Sequence, residues 1–167
     1  FTAKTDMDYV YTELINKESK INILKQMEGS NQKLIIKDFI KTNGVLLSTR
    51  IFWEGIDIPG NDLVSVIITR LPFPVPDPII EYKTNQAKDK MNEILIPEMI
   101  RHLRQGAGRL IRKENDKGIL SILDSRLSVK YGREYRESVL EMLPIKNELN
   151  NLQEISEFVK LNIIPHY

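Results

Sequence analysis

Three side chains at helical spacing have the chemistry to grip a multiply charged anion. They are Gln105, Arg109 and Arg112, within Gln105-Gly106-Ala107-Gly108-Arg109-Leu110-Ile111-Arg112. With Gln105 at zero and about 100° per residue, Arg109 falls near ~40°, Arg112 near ~340° and Gly108 near ~300°. One face thus carries an amide, two guanidiniums and a gap, and planar guanidinium forks suit bidentate recognition of phosphate. Ile100, Leu103, Ala107 and Leu110 fall on the opposite side, where a helix covers a core. An interior glycine costs roughly 1 kcal/mol relative to alanine, so Gly106 and Gly108 call for a reason beyond helix stability. Close approach of a ligand is one reason. The plain alternative is a solvated charged face with two tolerated glycines.

A second stretch, Ser48-Thr49-Arg50-Ile51-Phe52-Trp53-Glu54-Gly55-Ile56-Asp57-Ile58-Pro59-Gly60, directly follows the apolar run Gly44 to Leu47. It therefore lies at a carboxyl edge of a sheet, where open α/β folds bind their ligands. Gly55 permits a tight turn or close approach, and Asp57 offers an acceptor suited to a ribose hydroxyl. The alternative is structural: Phe52 and Trp53 as core anchors, Asp57 on backbone amides, Pro59-Gly60 as a turn.

The elements that must position these residues alternate between strand and helix. Phe1-Thr2 reads as the end of a strand, Asp6 to Asn16 as a helix with Met7, Val10 and Leu14 inward, and Ile21 to Gln26 as extended. Ser30 caps a helix through Lys41 with Leu34, Ile35 and Phe39 apolar at helical spacing. Gly44 to Ser48 and Val64 to Ile68 are strands, the second nearly all apolar as in a buried parallel sheet. The run Arg70-Leu71-Pro72-Phe73-Pro74-Val75-Pro76-Asp77-Pro78 has four prolines, which forbid both helix and ladder. Helices over Pro78 to Glu93 and Pro97 to Arg112 follow, then a strand at Ile119 to Leu123 and helices at Tyr131 to Leu143 and Leu149 to Asn162. Such alternation is the mark of an α/β domain with a parallel sheet and helical crossovers.

Composition sets the outer limits. The chain has 167 residues, 41% hydrophobic and 28% charged, enough for one domain with a substantial core. Its net charge of +1 gives no bulk attraction to nucleic acid, although Lys and Arg outnumber Asp and Glu between Ile100 and Arg136. Without cysteine, disulfides, thiolate metal clusters and a Cys nucleophile are excluded, and two histidines are too few for a metal site. No run approaches the ~20 apolar residues of a membrane span and no signal peptide precedes the first element, so a cytoplasmic setting is expected. The start at Phe1 rather than Met suggests a domain cut from a longer protein.

Taken together, Phe-Trp-Glu-Gly-Ile-Asp-Ile-Pro-Gly at positions 52–60 and Gln-Gly-Ala-Gly-Arg-Leu-Ile-Arg at 105–112 resemble motifs V and VI of superfamily 2 helicases, in the DinG and XPD branch. Leu71-Pro72-Phe73-Pro74-Val75-Pro76 and Ile122-Leu123-Asp124-Ser125-Arg126 are similar to further signatures of that branch, and the likeness runs from about Phe1 to Pro144. It implies a RecA-like three-layer αβα domain with a mainly parallel sheet, the second of two motor domains, with residues 145–167 as a peripheral C-terminal helix. ATP with Mg2+ would sit in the cleft between the two, held mainly by the first. Arg109 and Arg112 would then act as arginine fingers on the γ-phosphate, with Gln105 sensing the nucleotide. Glu54, Gly55, Asp57 and Gly108 would line the nucleotide side.

The half that binds the triphosphate is not in this sequence. No glycine is followed by lysine, so the pattern G-x-x-x-x-G-K-[ST] is absent, and no Asp-Glu pair is present to hold magnesium. The chain alone is therefore expected to lack ATPase activity. For single-stranded DNA, Thr49, Arg50 and Arg126 follow strands and suit backbone phosphates, while Phe73 either stacks on a base or anchors a rigid loop. Lys130, Arg133 and Arg136 read as a solvated helix face. The implied partners are single-stranded DNA, the first RecA-like domain and, in some members of the branch, a fused exonuclease domain. A nucleotide-responsive DNA-docking module serving such a nuclease, without unwinding, is the second reading.

Overall fold

The computed structural model describes residues 1–17, 20–53, 58, 62–111, 116–145 and 147–164. Helix α1 spans Lys4–Asn16 and strand β1 Ile23–Lys25; α2 spans Gln32–Thr42 and β2 Val45–Leu47. After a 3-10 turn at Arg50–Trp53 come β3, Ser65–Ile68, then α3, Pro78–Gln86, and α4, Ile96–Leu110. Strand β4, Ile119–Ile122, leads to a second 3-10 turn at Ser125–Leu127, and α5, Arg136–Glu141, and α6, Leu152–Asn162, complete the order.

All strand pairing among the described residues is parallel, as βαβ alternation demands. Two pairs form: β1 with β2, Ile23 facing Val45 and Lys25 facing Leu47, and β3 with β4, Ser65 facing Ile119 and Ile68 facing Ile122. They are hydrogen-bonded as two separate two-stranded sheets, not as one continuous sheet. No strand forms at Phe1-Thr2, although the Phe1 nitrogen donates to the Ser48 carbonyl at 2.8 Å, beside the exit of β2. Strand β3 is not buried on both faces either. Ile68 is buried while Ile67 is 58% exposed, because only one side of the pair is covered by α4.

The main core lies between α4 and the β3–β4 pair. Met99, Leu103, Ala107 and Leu110 of α4 are each 2% exposed or less, with Ile100 at 7%, so the inward stripe expected of this helix is the one buried. Each large apolar side chain buried here contributes on the order of 1.5–3 kcal/mol of transfer free energy. Gly118 sets how closely α4 approaches: a Cβ there would come within 2.7 Å of Leu110 Cγ and 3.1 Å of the Val64 carbonyl. A second, smaller core gathers Ile36, Phe39 and Ile40 of α2 around Phe52 and Ile58. Leu34, apolar at helical spacing with Ile35 and Phe39, is 59% exposed.

Caps and breaks explain the boundaries that differ from expectation. Asn31, not Ser30, caps α2, accepting from the Lys33 amide at 3.0 Å, while the Ser30 hydroxyl turns back to the Met27 carbonyl. The helix begun at Pro78, capped by Asp77, stops at Gln86 because Ala87 is extended and Asp89 Oδ1 accepts the amides of Met91 and Asn92, starting a new helix. That helix opens with a π turn, Met91–Leu95, immediately before Pro97. Pro97 has no N–H and its ring would crowd the carbonyl four residues back; widening the turn relieves both. At the other end α4 stops at Leu110, with Ile111 extended, short of the expected Arg112.

Between Tyr131 and Tyr135 the chain turns instead of coiling. The Tyr131 amide goes to Ser128 Oγ and the Arg133 amide to the Arg126 carbonyl, which leaves helix only over Arg136–Glu141. Arg136 is not on a solvated face: its side chain is 13% exposed, its Nε donates to the Leu127 carbonyl at 3.0 Å and its Nη2 pairs with Glu148. Helix α6 is capped by Asn151 and has no buried residue within Leu152–Asn162.

Candidate functional site

The site is built at the carboxyl ends of β2, β3 and β4, where β2 and β4 run into 3-10 turns and β3 into the proline-rich loop. Three consecutive residues after β3, Leu71, Pro72 and Phe73, each meet a partner from another segment. The Leu71 amide donates to Asp124 Oδ2 at 2.9 Å; the Pro72 carbonyl lies 3.0 Å from His102 Nδ1; and the Arg126 guanidinium lies 4.9 Å from the centroid of the Phe73 ring. Pro72 is buried and Phe73 half-buried, the latter edge-on to Tyr135 with ring centroids 6.4 Å apart. Proline fixes this backbone before any ligand arrives.

Arg126 is held by Asp124 through two parallel bonds, Nε to Oδ1 at 2.9 Å and Nη2 to Oδ2 at 2.6 Å, and Asp124 Oδ1 also accepts the Arg126 amide at 3.0 Å. The Arg126 guanidinium and these two amides hold the Asp124 carboxyl well below the usual carboxylate range. Arg126 itself stays 38% exposed, with no partner for Nη1 among the described residues. An oriented, half-exposed guanidinium on a fixed carboxylate has the chemistry to take a phosphate.

Thr49 and Arg50 leave β2 in different settings. The Thr49 amide and hydroxyl both donate to Gln26 Oε1, at 3.0 and 3.2 Å, so its one hydroxyl proton is already engaged. Arg50 Nη1 reaches the His102 ring, 2.9 Å from Nδ1 and 3.2 Å from Nε2. His102 is 5% exposed, and burial first, then the Arg50 and Arg101 charges, push its pKa below the ordinary histidine value. Both effects favour the neutral ring.

On α4 the sequence-expected residues share a face. Gln105 is exposed, while Gly108 and Arg109 are half-buried; a Cβ on Gly108 would meet nothing within 4 Å, so the gap is open space. Arg101 lies one turn before Gln105 on that face and pairs with Glu98, Nε to Oε2 at 2.8 Å. With Arg104, Gln105, Pro97, Ile100 and Met142 it lines a groove of about 520 Å³. Glu54, Gly55, Asp57 and Arg112 lie outside the described residues. Among the described residues no group of three His, Asp or Glu side chains stands ready for a metal ion.

The sequence alone did not single out Asp124, His102 or Gln26 as holders of site residues. His102 sits near ~60° on the helical projection of α4, at the margin of its polar stripe, and a lone histidine there reads as solvated. Its burial depends on Pro72, thirty residues away. The aspartate two residues before Arg126 was the one local signal.

A model of the helicase C-terminal domain matches residues 1–144, a span that holds every strand, the proline loop and α4. The chain belongs to this family. The helicase C-terminal domain is RecA-like, in keeping with the parallel strand pairs. It is 38% identical over 153 residues to an ATP-dependent DNA helicase, YoaA, of Haemophilus influenzae, covering 89% of this chain and 23% of that protein. It is 36% identical to the 3'-5' exonuclease DinG of Bacillus subtilis, over 83% of this chain and 16% of the relative, and 35% identical to the ATP-dependent DNA helicase DinG of Photobacterium profundum, over 86% and 22%. This helicase C-terminal domain therefore spans about a quarter or less of the relatives' length. None of its described helices is long and apolar enough to cross a membrane.

Proposed function

We propose that this domain is the C-terminal motor domain of an ATP-dependent DNA helicase of the DinG type, the second of two RecA-like domains in a three-layer αβα arrangement. The observation that carries this reading is the single face of α4 on which Gln105, the open gap at Gly108 and Arg109 lie together, in a chain of the helicase family. ATP with Mg2+ is held mainly by a first motor domain elsewhere in the full-length protein, a reading supported by the sequence, in which no G-x-x-x-x-G-K-[ST] pattern occurs. Arg109 and Arg112 close on the γ-phosphate, where charge develops during phosphoryl transfer, and Gln105 reads the nucleotide state. Glu54, Gly55 and Asp57 complete the nucleotide side. Single-stranded DNA runs past Arg50, Arg126 and Phe73, with Thr49 exchanging Gln26 for a phosphate. The setting is cytoplasmic.

The deciding experiment is DNA-stimulated ATP hydrolysis by the full-length protein, with and without Arg109→Ala. Loss of an arginine finger lowers turnover by about 10³-fold or more while ATP still binds. Stimulated turnover that survives the substitution overturns the assignment of Arg109. Robust turnover by residues 1–167 alone overturns the two-domain reading.

A second reading is favoured by the similarity to a relative named as an exonuclease. In it the domain is a nucleotide-responsive, DNA-docking module beside a fused nuclease and does not unwind. ATP binding without duplex unwinding by the full-length protein would put this reading first.

A further inference from the structure

The proposed DNA side and the proposed nucleotide side meet at one buried imidazole. His102 lies on α4 one turn before Gln105 and touches three segments: Arg50 Nη1 at 3.2 Å from Nε2, Arg101 Nη2 at 3.0 Å from Nε2, and the Pro72 carbonyl at 3.0 Å from Nδ1. Only one tautomer serves these partners. Pro72 oxygen only accepts and both guanidiniums only donate, so the proton resides on Nδ1 and donates to Pro72, leaving Nε2 as acceptor. The 2.9 Å approach of Arg50 Nη1 to Nδ1 is then a contact between two donors, not a bond. Nearly equidistant from the two ring nitrogens, Arg50 Nη1 rests against the ring off the Nε2 lone-pair axis, and that lone pair serves Arg101. Arg50 leaves the strand on the DNA side; Arg101 is fixed on α4 by Glu98.

We propose that His102 is a positioning residue that ties Arg50 to α4, so that Arg50 moves with the helix carrying Gln105 and Arg109 and DNA contact is felt at the nucleotide face. The proposal rests on the motor-domain reading above. Its physical content is specific. A phosphate that draws Arg50 away takes it off the ring, and a shift of α4 moves the ring and so changes where Arg50 can point. Nothing in the local sequence of α4 supplies this link, because Pro72 and Arg50 are 30 and 52 residues from His102.

The test uses the full-length protein and a fluorescent oligothymidylate, measuring both binding and the oligothymidylate concentration that half-maximally stimulates ATP hydrolysis. His102→Leu is expected to raise that concentration about 5- to 10-fold. His102→Gln, whose amide keeps one donor and one acceptor, is expected to recover most of the loss. The two changes must also fail to add: in an Arg50→Ala background, His102→Leu is expected to have little further effect, whereas a merely structural histidine gives independent losses. Additive losses, or a Gln variant no better than Leu, overturn the proposal and leave the motor reading intact. If Arg50→Ala alone changes nothing, the coupling is likewise overturned, with Arg126 still available as a DNA contact. If the wild-type protein neither binds the oligonucleotide nor responds to it, the motor reading falls and takes the coupling with it.

Discussion

Asp124 Oδ2 accepts the Leu71 amide at 2.9 Å, so a carboxylate at the end of β4 fixes the chain leaving β3, 53 residues away. The same carboxylate orients Arg126, which joins the stability of this corner to its chemistry. Asp124→Ala leaves two amides and a guanidinium without their acceptor. It is expected to cost about 2–3 kcal/mol, at the upper end for a charged hydrogen-bonding group, and to weaken single-stranded DNA binding as well. Urea unfolding and oligonucleotide titration of the same variant check both effects.

Arg126→Ala separates them. Asp124 keeps the Leu71 and Arg126 amides, and the lost ion pair is partly exposed, so stability should fall by no more than about 1 kcal/mol. DNA affinity should fall at every sequence, and the slope of log affinity against log salt should drop by about one phosphate contact. An unchanged salt slope would remove Arg126 from the track.

Gly108 offers a substitution with opposite signs in folding and function. A methyl group there meets nothing within 4 Å, and alanine is the better helix former, so Gly108→Ala is expected to stabilise the full-length protein by about 0.5–1 kcal/mol. If the gap is where the nucleotide or the first motor domain approaches, ATP turnover should fall at the same time. A stabilised variant with wild-type turnover would mean that nothing comes close to α4 at this point.

His102 gives a pH signature. Its folded pKa lies below the ordinary 6.5, chiefly through burial, so the unfolded chain takes up the proton first as pH falls. The stability this group contributes is full above about pH 6.5 and is lost as pH drops from there through the lower folded value. The charges facing it are Arg50 from the turn after β2 and Arg101 and Glu98 from α4; Glu98, held low by Arg101, stays ionised across that window. Urea midpoints between about pH 7.5 and 5 should therefore fall more steeply for wild type than for His102→Gln.

How much of this was legible in advance follows from how far apart the cooperating residues lie. The inward stripe of α4, the strands around Val45, Val66 and Leu120, and the α/β alternation are properties of short windows, because the 3.6 and 2.0 periods of side-chain direction are written in neighbouring residues. The likeness to helicase motifs was legible for the same reason, and the match over residues 1–144 agrees with it. Where local competitors intervened, the windows misled: Asp89 and Pro97 broke one helix into α3, a π turn and α4, and Ser128 and the Arg126 carbonyl took amides that the helix before α5 would have used.

Which face of α4 is buried, and that Gln105, Gly108 and Arg109 share the other, was written in the residue pattern, since helical geometry leaves no choice once the apolar stripe is inward. Only the tertiary structure decided what Arg50 and Arg126 are attached to. Hydrogen bonds act over about 3 Å, and His102, Pro72 and Asp124 come that close to partners 30 to 53 residues away only once the chain is folded.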